Sequence, residues 1–108
     1  MIDLQWNRDF ALEQAGEDEE LLGELLVLLQ ESTANDLAKI KAGLKKGDAK
    51  IMGEAAHSIK GAAASLGVEK LRVLARDLEK AGLGNDLGSA SDLVPFLEDL
   101  VSSISTLK

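Results

Sequence analysis

The chain has 108 residues, of which 45% are hydrophobic and 3% aromatic, and its 12 basic and 19 acidic residues give a net charge of −7. This length fits one core, so we expect a single domain over residues 1–108. The few aromatic residues disfavour a β-sandwich or barrel, and the negative charge disfavours nucleic-acid binding. Because Cys is absent and His occurs once, disulfides, thiolate chemistry and multi-histidine metal sites are excluded.

Two features of the sequence bear on localisation. The longest unbroken apolar run, residues 25–29, is far too short to cross a membrane. The N-terminus has no basic-then-apolar pattern of a signal peptide. We therefore expect a cytoplasmic protein without a membrane partner.

Apolar residues recur at helical spacing along the whole chain, and no stretch alternates like a β-strand. Asp18 and Asp48 are suitable N-caps, and Gly47 and Gly67 are suitable left-handed stops after the second and third helices. With their caps, the predicted helices cover residues 7–15, 18–46, 48–66, 68–81 and 91–107.

The end of the fourth helix and the start of the fifth are the least regular part. Gly82 is predicted to follow the fourth helix, and residues 82–89, with three Gly, form a loop. Ser91 then opens the fifth helix, which places Pro95 in its first turn, where a missing N–H costs least.

Short connections between long amphipathic helices produce antiparallel neighbours. The sequence therefore predicts an all-α fold, in which helices two to five form an up-down-up-down four-helix bundle. The short N-terminal helix, with Trp6 and Phe10, is expected to cover one end. Such bundles serve many functions, so the fold alone does not indicate what this protein does.

The third helix carries the only His of the chain, His57. At about 100° per residue, an apolar stripe lies on the side opposite this residue, so His57 is predicted to face solvent. The stripe consists of Ile51, Ala55, Ile59, Ala62 and Leu66.

Small residues surround His57 on its own face. Gly53 and Gly61 lie one turn before and one turn after it, and Ala64 lies two turns after it. Gly in an exposed helix costs about 0.5–1 kcal/mol relative to Ala, so stability alone does not favour Gly here. We interpret the small residues as room for another protein's surface; a close crossing of two helices is the alternative.

Lys60 lies three residues after His57, and helical side chains lean toward the N-terminus. Its ammonium can therefore reach back toward the ring, where it would stabilise an anion placed on the imidazole. The alternative is an ordinary solvated lysine.

The run at residues 56–67, AHSIKGAAASLG, resembles the histidine-containing phosphotransfer (HPt) domains of bacterial phosphorelays. Their signature is His-x-x-Lys-Gly with a further Gly six residues on, followed later by a Leu-Glu pair, which residues 78–79 match. Many members carry Ser after the motif Gly, whereas Ala62 and Ala63 stand here.

The resemblance implies that His57 accepts a phosphoryl group on Nε2 from a receiver-domain aspartyl phosphate and passes it to another receiver. It implies that Lys60 offsets the phosphate charge and that Gly61 leaves room. The partners would be response-regulator receiver domains and an upstream hybrid sensor histidine kinase. We expect a monomer that is not an enzyme, because no Gly-rich ATP-binding segment is present.

We expect no metal or cofactor on this chain, with Mg²⁺ held only by the partner receiver, since Glu54 is the one carboxylate expected beside His57. The exposed apolar side of the second helix should help the receiver to dock. The expected docking contacts are Leu21, Leu28, Gly53, Glu54, Gly61 and Ala64.

Two other functions stay open. One is the phosphotransfer domain of a chemotaxis-type kinase, which takes its phosphate from ATP through a separate catalytic domain. The other is a helical docking adaptor that is never phosphorylated. The sequence also leaves open whether Arg72 or Arg76 of the fourth helix flanks the phosphate.

Overall fold

A computed structural model describes residues 3–108. Over this range the helices are α1 (Arg8–Gln14), α2 (Glu19–Lys46), α3 (Ala49–Ser65), α4 (Glu69–Leu83) and α5 (Leu87–Ser103), followed by a 3₁₀ turn at Ile104–Thr106. Helix α3 packs between α2 and α4, and α5 packs on α4 and α2, which closes a four-helix bundle. The predicted all-α bundle is confirmed. None of the described helices has the length and apolar character that crossing a membrane requires.

Local signals set most of the helix ends. The Asp18 side chain accepts hydrogen bonds from two backbone N–H groups in the first turn of α2, and Asp48 accepts one at the start of α3. Gly47 and Gly67 both adopt φ of 71°, the left-handed conformation that Gly adopts without strain. These four predictions are confirmed.

The N-terminal segment covers the end of the bundle where α3 turns into α4. The Trp6 indole donates a hydrogen bond to the Leu66 carbonyl at 3.0 Å, and Phe10 lies against the same turn. Helix α4 has no side-chain cap, and its first two N–H groups donate to the carbonyls of Gln5 and Leu4 at 3.4 and 3.2 Å. The segment therefore caps α4 with its backbone as well as covering the core.

The prediction for the connection between α4 and α5 is wrong. Gly82 lies inside α4 instead of ending it, and α5 starts earlier than Ser91, because the Asp86 side chain caps it at Leu87. Pro95 consequently lies in the interior of α5 and not in its first turn. The missing N–H of Pro95 removes the helical partner of the Ser91 carbonyl, and the exposure of Ser91 lets water replace that partner.

The buried face of α3 is rotated from the predicted stripe toward α4. Ile51 is 40% exposed and Ala62 is half-buried, whereas Met52, Ala56 and Ala63 are fully buried. The physical reason is that α3 packs more extensively on α4 than on α2. The rotation leaves His57 exposed and brings one flank of its face against α4.

Candidate functional site

The candidate site is a bridged trio of side chains from α3 and α4. His57 projects from α3 with 67% of its side chain exposed, and its Nδ1 lies 2.5 Å from Oε2 of Glu79 on α4. The Lys60 ammonium, one turn further along α3, donates to the other oxygen of Glu79 at 2.6 Å. One carboxylate thus holds both motif side chains.

The charge of Glu79 determines which ring nitrogen of a neutral His57 carries the proton. The hydrogen bond from Lys60 lowers the pKa of Glu79 below its usual range; burial opposes this shift, and the hydrogen bond with His57 adds to it. An ionised carboxylate only accepts hydrogen bonds, so a neutral ring must carry its proton on Nδ1. In that neutral form the lone pair lies on Nε2.

The position of Lys60 differs from the expectation that it would reach the His57 ring directly. Its ammonium contacts Glu79, so Lys60 and His57 are linked through the carboxylate. Glu79 is also a carboxylate beside His57 that the sequence reasoning missed when it named only Glu54. The signal was present as the Leu-Glu pair of the family resemblance. Glu54 itself lies on the exposed surface, 4.0 Å from the Lys50 ammonium.

Within residues 3–108, no group of three or more His, Cys, Asp or Glu side chains is arranged to hold a metal ion.

The small residues around His57 have two different environments. Gly61 is exposed, and a Cβ built on it would meet no other part of the described chain within 4 Å; Ala64 is also exposed. Gly53 instead lies at a close crossing with Gly82, where a Cβ on Gly82 would approach the Gly53 Cα to 2.8 Å. The alternative of a close helix crossing is therefore correct at Gly53, and the open face is formed by Gly61 and Ala64.

The two leucines expected to widen the apolar side of α2 are exposed. Leu21 is 39% exposed and Leu28 is 58% exposed. Leu28 lines a groove between α2 and the C-terminal half of α3, together with Ala62 and Ser65. An apolar surface therefore borders the His57 helix on its α2 side.

The two arginines of α4 are paired with carboxylates of their own helix. Arg72 donates two hydrogen bonds to Glu69, and Arg76 lies 3.4 Å from Asp77. The hydrogen bonds and ion pairs of the described residues connect neither arginine to His57 or Glu79.

Comparisons with known proteins identify the family and a similar fold. Residues 24–107 match the family model of the Hpt domain. The crystal structure of the HPT domain from the Hpt sensor hybrid histidine kinase of Shewanella is similar, with a TM-score of 0.66 and 27% sequence identity. The alignment covers 98% of this chain and 99% of that one. No curated protein matches the chain.

Proposed function

Since the chain belongs to the Hpt domain family, the histidine phosphotransfer carriers of phosphorelays, we propose that His57 is the residue that carries the phosphoryl group. The observation that supports this most is the environment of the His57 ring. His57 is the only His of the chain, its side chain is 67% exposed, and its Nδ1 is tied to an ionised carboxylate.

This geometry supports the following transfer step. The Nε2 lone pair attacks the phosphorus of an aspartyl phosphate on a receiver domain; an N–P bond forms and the acyl O–P bond breaks, with the aspartate carboxylate leaving. The ring becomes more cationic as it gives up electron density, and Glu79 stabilises that charge through the Nδ1–H hydrogen bond. Attack by the carboxylate of a second receiver reverses the same step.

Lys60 is poised to compensate the charge of the transferred group. Its ammonium lies within hydrogen-bonding distance of Glu79 in the free protein, and its side chain is 31% exposed. When three phosphoryl oxygens arrive beside the ring, a lysine side chain can turn toward them because its stem is flexible. This motion would offset part of the negative charge.

Hpt domains carry phosphoryl groups without kinase activity, and we extend this to the whole chain: it binds no ATP and holds no cofactor. The Mg²⁺ would belong to the receiver. The donor would be the receiver of a hybrid sensor histidine kinase, since the similar Shewanella domain comes from such a kinase. The acceptor would be a response-regulator receiver. We propose a single monomeric domain that acts in the cytoplasm.

Receivers bind Hpt domains, and we propose that they dock on this chain over the face that carries His57. Gly61 and Ala64 leave that face open beyond the ring, and the exposed Leu28 extends it onto α2 with apolar surface. A receiver aspartate lies in a pocket, so a surface without long side chains around the imidazole lets the two groups meet.

The experiment is transfer from phosphorylated receiver domains to the wild type and to His57→Gln. Acid-labile, base-stable label should appear on the wild type only, and equal labelling of His57→Gln would contradict the proposal. ATP alone should label neither protein. A requirement for a kinase catalytic domain would support the chemotaxis-type alternative, and docking without any label would support the adaptor.

A further inference from the structure

A recess borders His57 on the side away from α2, between the N-terminal half of α3 and the C-terminal end of α4. Its floor is formed by the backbones of Gly53 and Gly82 at their close crossing. The His57–Glu79 pair closes one end. At the rim stands Leu83, the last residue of α4.

Leu83 is unusual among the apolar side chains of the described chain. It is 84% exposed, more than any other large hydrophobic residue of residues 3–108, including Phe96 on α5 at 62%. A single exposed leucine is common on protein surfaces and has no meaning by itself. Here it lies one helical turn from Glu79, beside a recess that the reacting ring itself lines.

We propose that Leu83 and the Gly53–Gly82 floor form a second docking flank, which takes an apolar side chain of the receiver domain. The inference rests on the proposed function, because any receiver that brings an aspartate to His57 must lie over surface continuous with this recess. Binding of the receiver would remove Leu83 from water, which strengthens the complex. This contribution to binding is made before the chemical step and does not depend on it.

The position of Leu83 makes it a determinant of which receiver binds. On its α2 side the His57 face has the exposed Leu28, which offers an apolar contact to a receiver but no further distinguishing feature. A second flank on the α4 side fixes the receiver's orientation. It also requires the receiver to carry an apolar side chain at the matching position, which only some receivers do. Leu83 therefore acts on partner choice, and the trio of His57, Lys60 and Glu79 acts on the transfer.

The test uses purified receiver domains of the same genome, phosphorylated with acetyl phosphate, and selects the one that transfers fastest to the wild type. Initial rates are then measured against receiver concentration for the wild type, Leu83→Ala, Leu83→Met and Phe96→Ala. Because burial of a leucine side chain strengthens binding, Leu83→Ala should raise the KM for the receiver about five- to tenfold. The maximal rate should stay the same, because no group of the trio is altered.

The other variants separate docking from folding. Leu83→Met keeps an apolar side chain of similar size and should stay within about twofold of the wild type. Phe96→Ala removes an exposed apolar side chain elsewhere and should leave the KM unchanged. Thermal unfolding of all three variants should match the wild type, since both positions are largely exposed.

Different results would refute the docking flank and the phosphotransfer function. If the wild type is labelled and Leu83→Ala keeps the wild-type KM, the docking flank is refuted while the phosphotransfer function stands. If no phosphorylated receiver labels the wild type, the phosphotransfer function fails and the docking flank fails with it.

Discussion

Glu79 offers the most direct way to perturb the His57 ring without touching it. Glu79→Ala removes the acceptor of the Nδ1–H hydrogen bond and the partner of Lys60 together. Glu79→Gln keeps an acceptor for the ring but removes the negative charge. Asp77→Ala is the matched control, because it removes a carboxylate from the same helix that contacts neither His57 nor Lys60.

The size of the effect follows from the exposure of the ring. A hydrogen bond to a charged group contributes about 1.5–3 kcal/mol when it is protected from water. His57 is 67% exposed. We therefore assign about 1 kcal/mol to the hydrogen bond between His57 and Glu79, which corresponds to roughly a fivefold change in the ratio of the Nδ1–H to the Nε2–H tautomer. Glu79→Ala should slow transfer by about that factor, and Glu79→Gln should slow it less.

The assay uses the fact that the chain has one histidine. With ¹⁵N-labelled histidine, the spectrum contains two ring nitrogens only, and their chemical shifts report the tautomer of His57 directly. Transfer from a phosphorylated receiver is measured on the same samples. Unchanged ring shifts in Glu79→Ala would refute the claim that the carboxylate sets the tautomer. Changed shifts with a wild-type rate would show that the tautomer does not limit transfer.

Three further predictions concern the glycines and the ion pair. Two exposed helix positions, Gly61 and Gly23, have open space at Cβ, so a Gln at either should stabilise the fold by roughly 0.5 kcal/mol. Only Gly61→Gln should slow transfer. Equal transfer rates in Gly61→Gln and Gly23→Gln would refute the open docking face. Gly82→Ala should lower the free energy of unfolding in urea by about 1–3 kcal/mol, because its Cβ would lie 2.8 Å from a backbone carbon of α3; a stable variant would mean that the helices move apart freely. The pKa of Glu79 is lowered in the folded state, so the pairing of Glu79 with Lys60 stabilises the fold above the ordinary glutamate range. That stabilisation is lost as the pH falls through the lowered pKa of Glu79. Acidification should therefore reduce the free energy of unfolding more in the wild type than in Lys60→Ala, and parallel curves would contradict this.

The helix ends show which parts of the fold local sequence determines. Asp18, Asp48 and Gly47 act through hydrogen bonds and φ angles within a few residues, so the pattern alone predicts them correctly. The error at Gly82 has a different origin. A glycine near a helix end usually marks a stop, but this one is needed for a contact with Gly53, which is distant in sequence. No local pattern contains that information.

The same distinction applies to the site. The exposure of His57 follows from the angular spacing of α3, which is a property of one helix. Its partner Glu79 lies 22 residues away and belongs to another helix, so the pair exists only when α3 and α4 have the right axial alignment. The family resemblance identifies Glu79 as part of a motif, but it does not indicate the contact.

The close crossing of α3 and α4 provides that alignment. His57 lies one turn along α3 from Gly53, and Glu79 lies one turn along α4 from Gly82 in the antiparallel direction, so a tight contact between the two glycines places the carboxylate opposite the ring. Side chains at the crossing would separate the helices and lengthen the 2.5 Å contact between Nδ1 and Oε2. Gly82→Ala should therefore shift the ring ¹⁵N signals as well as lower stability. A destabilised variant with unchanged ring signals would show that the crossing supports the fold alone, and that Glu79 reaches His57 through the freedom of its own side chain.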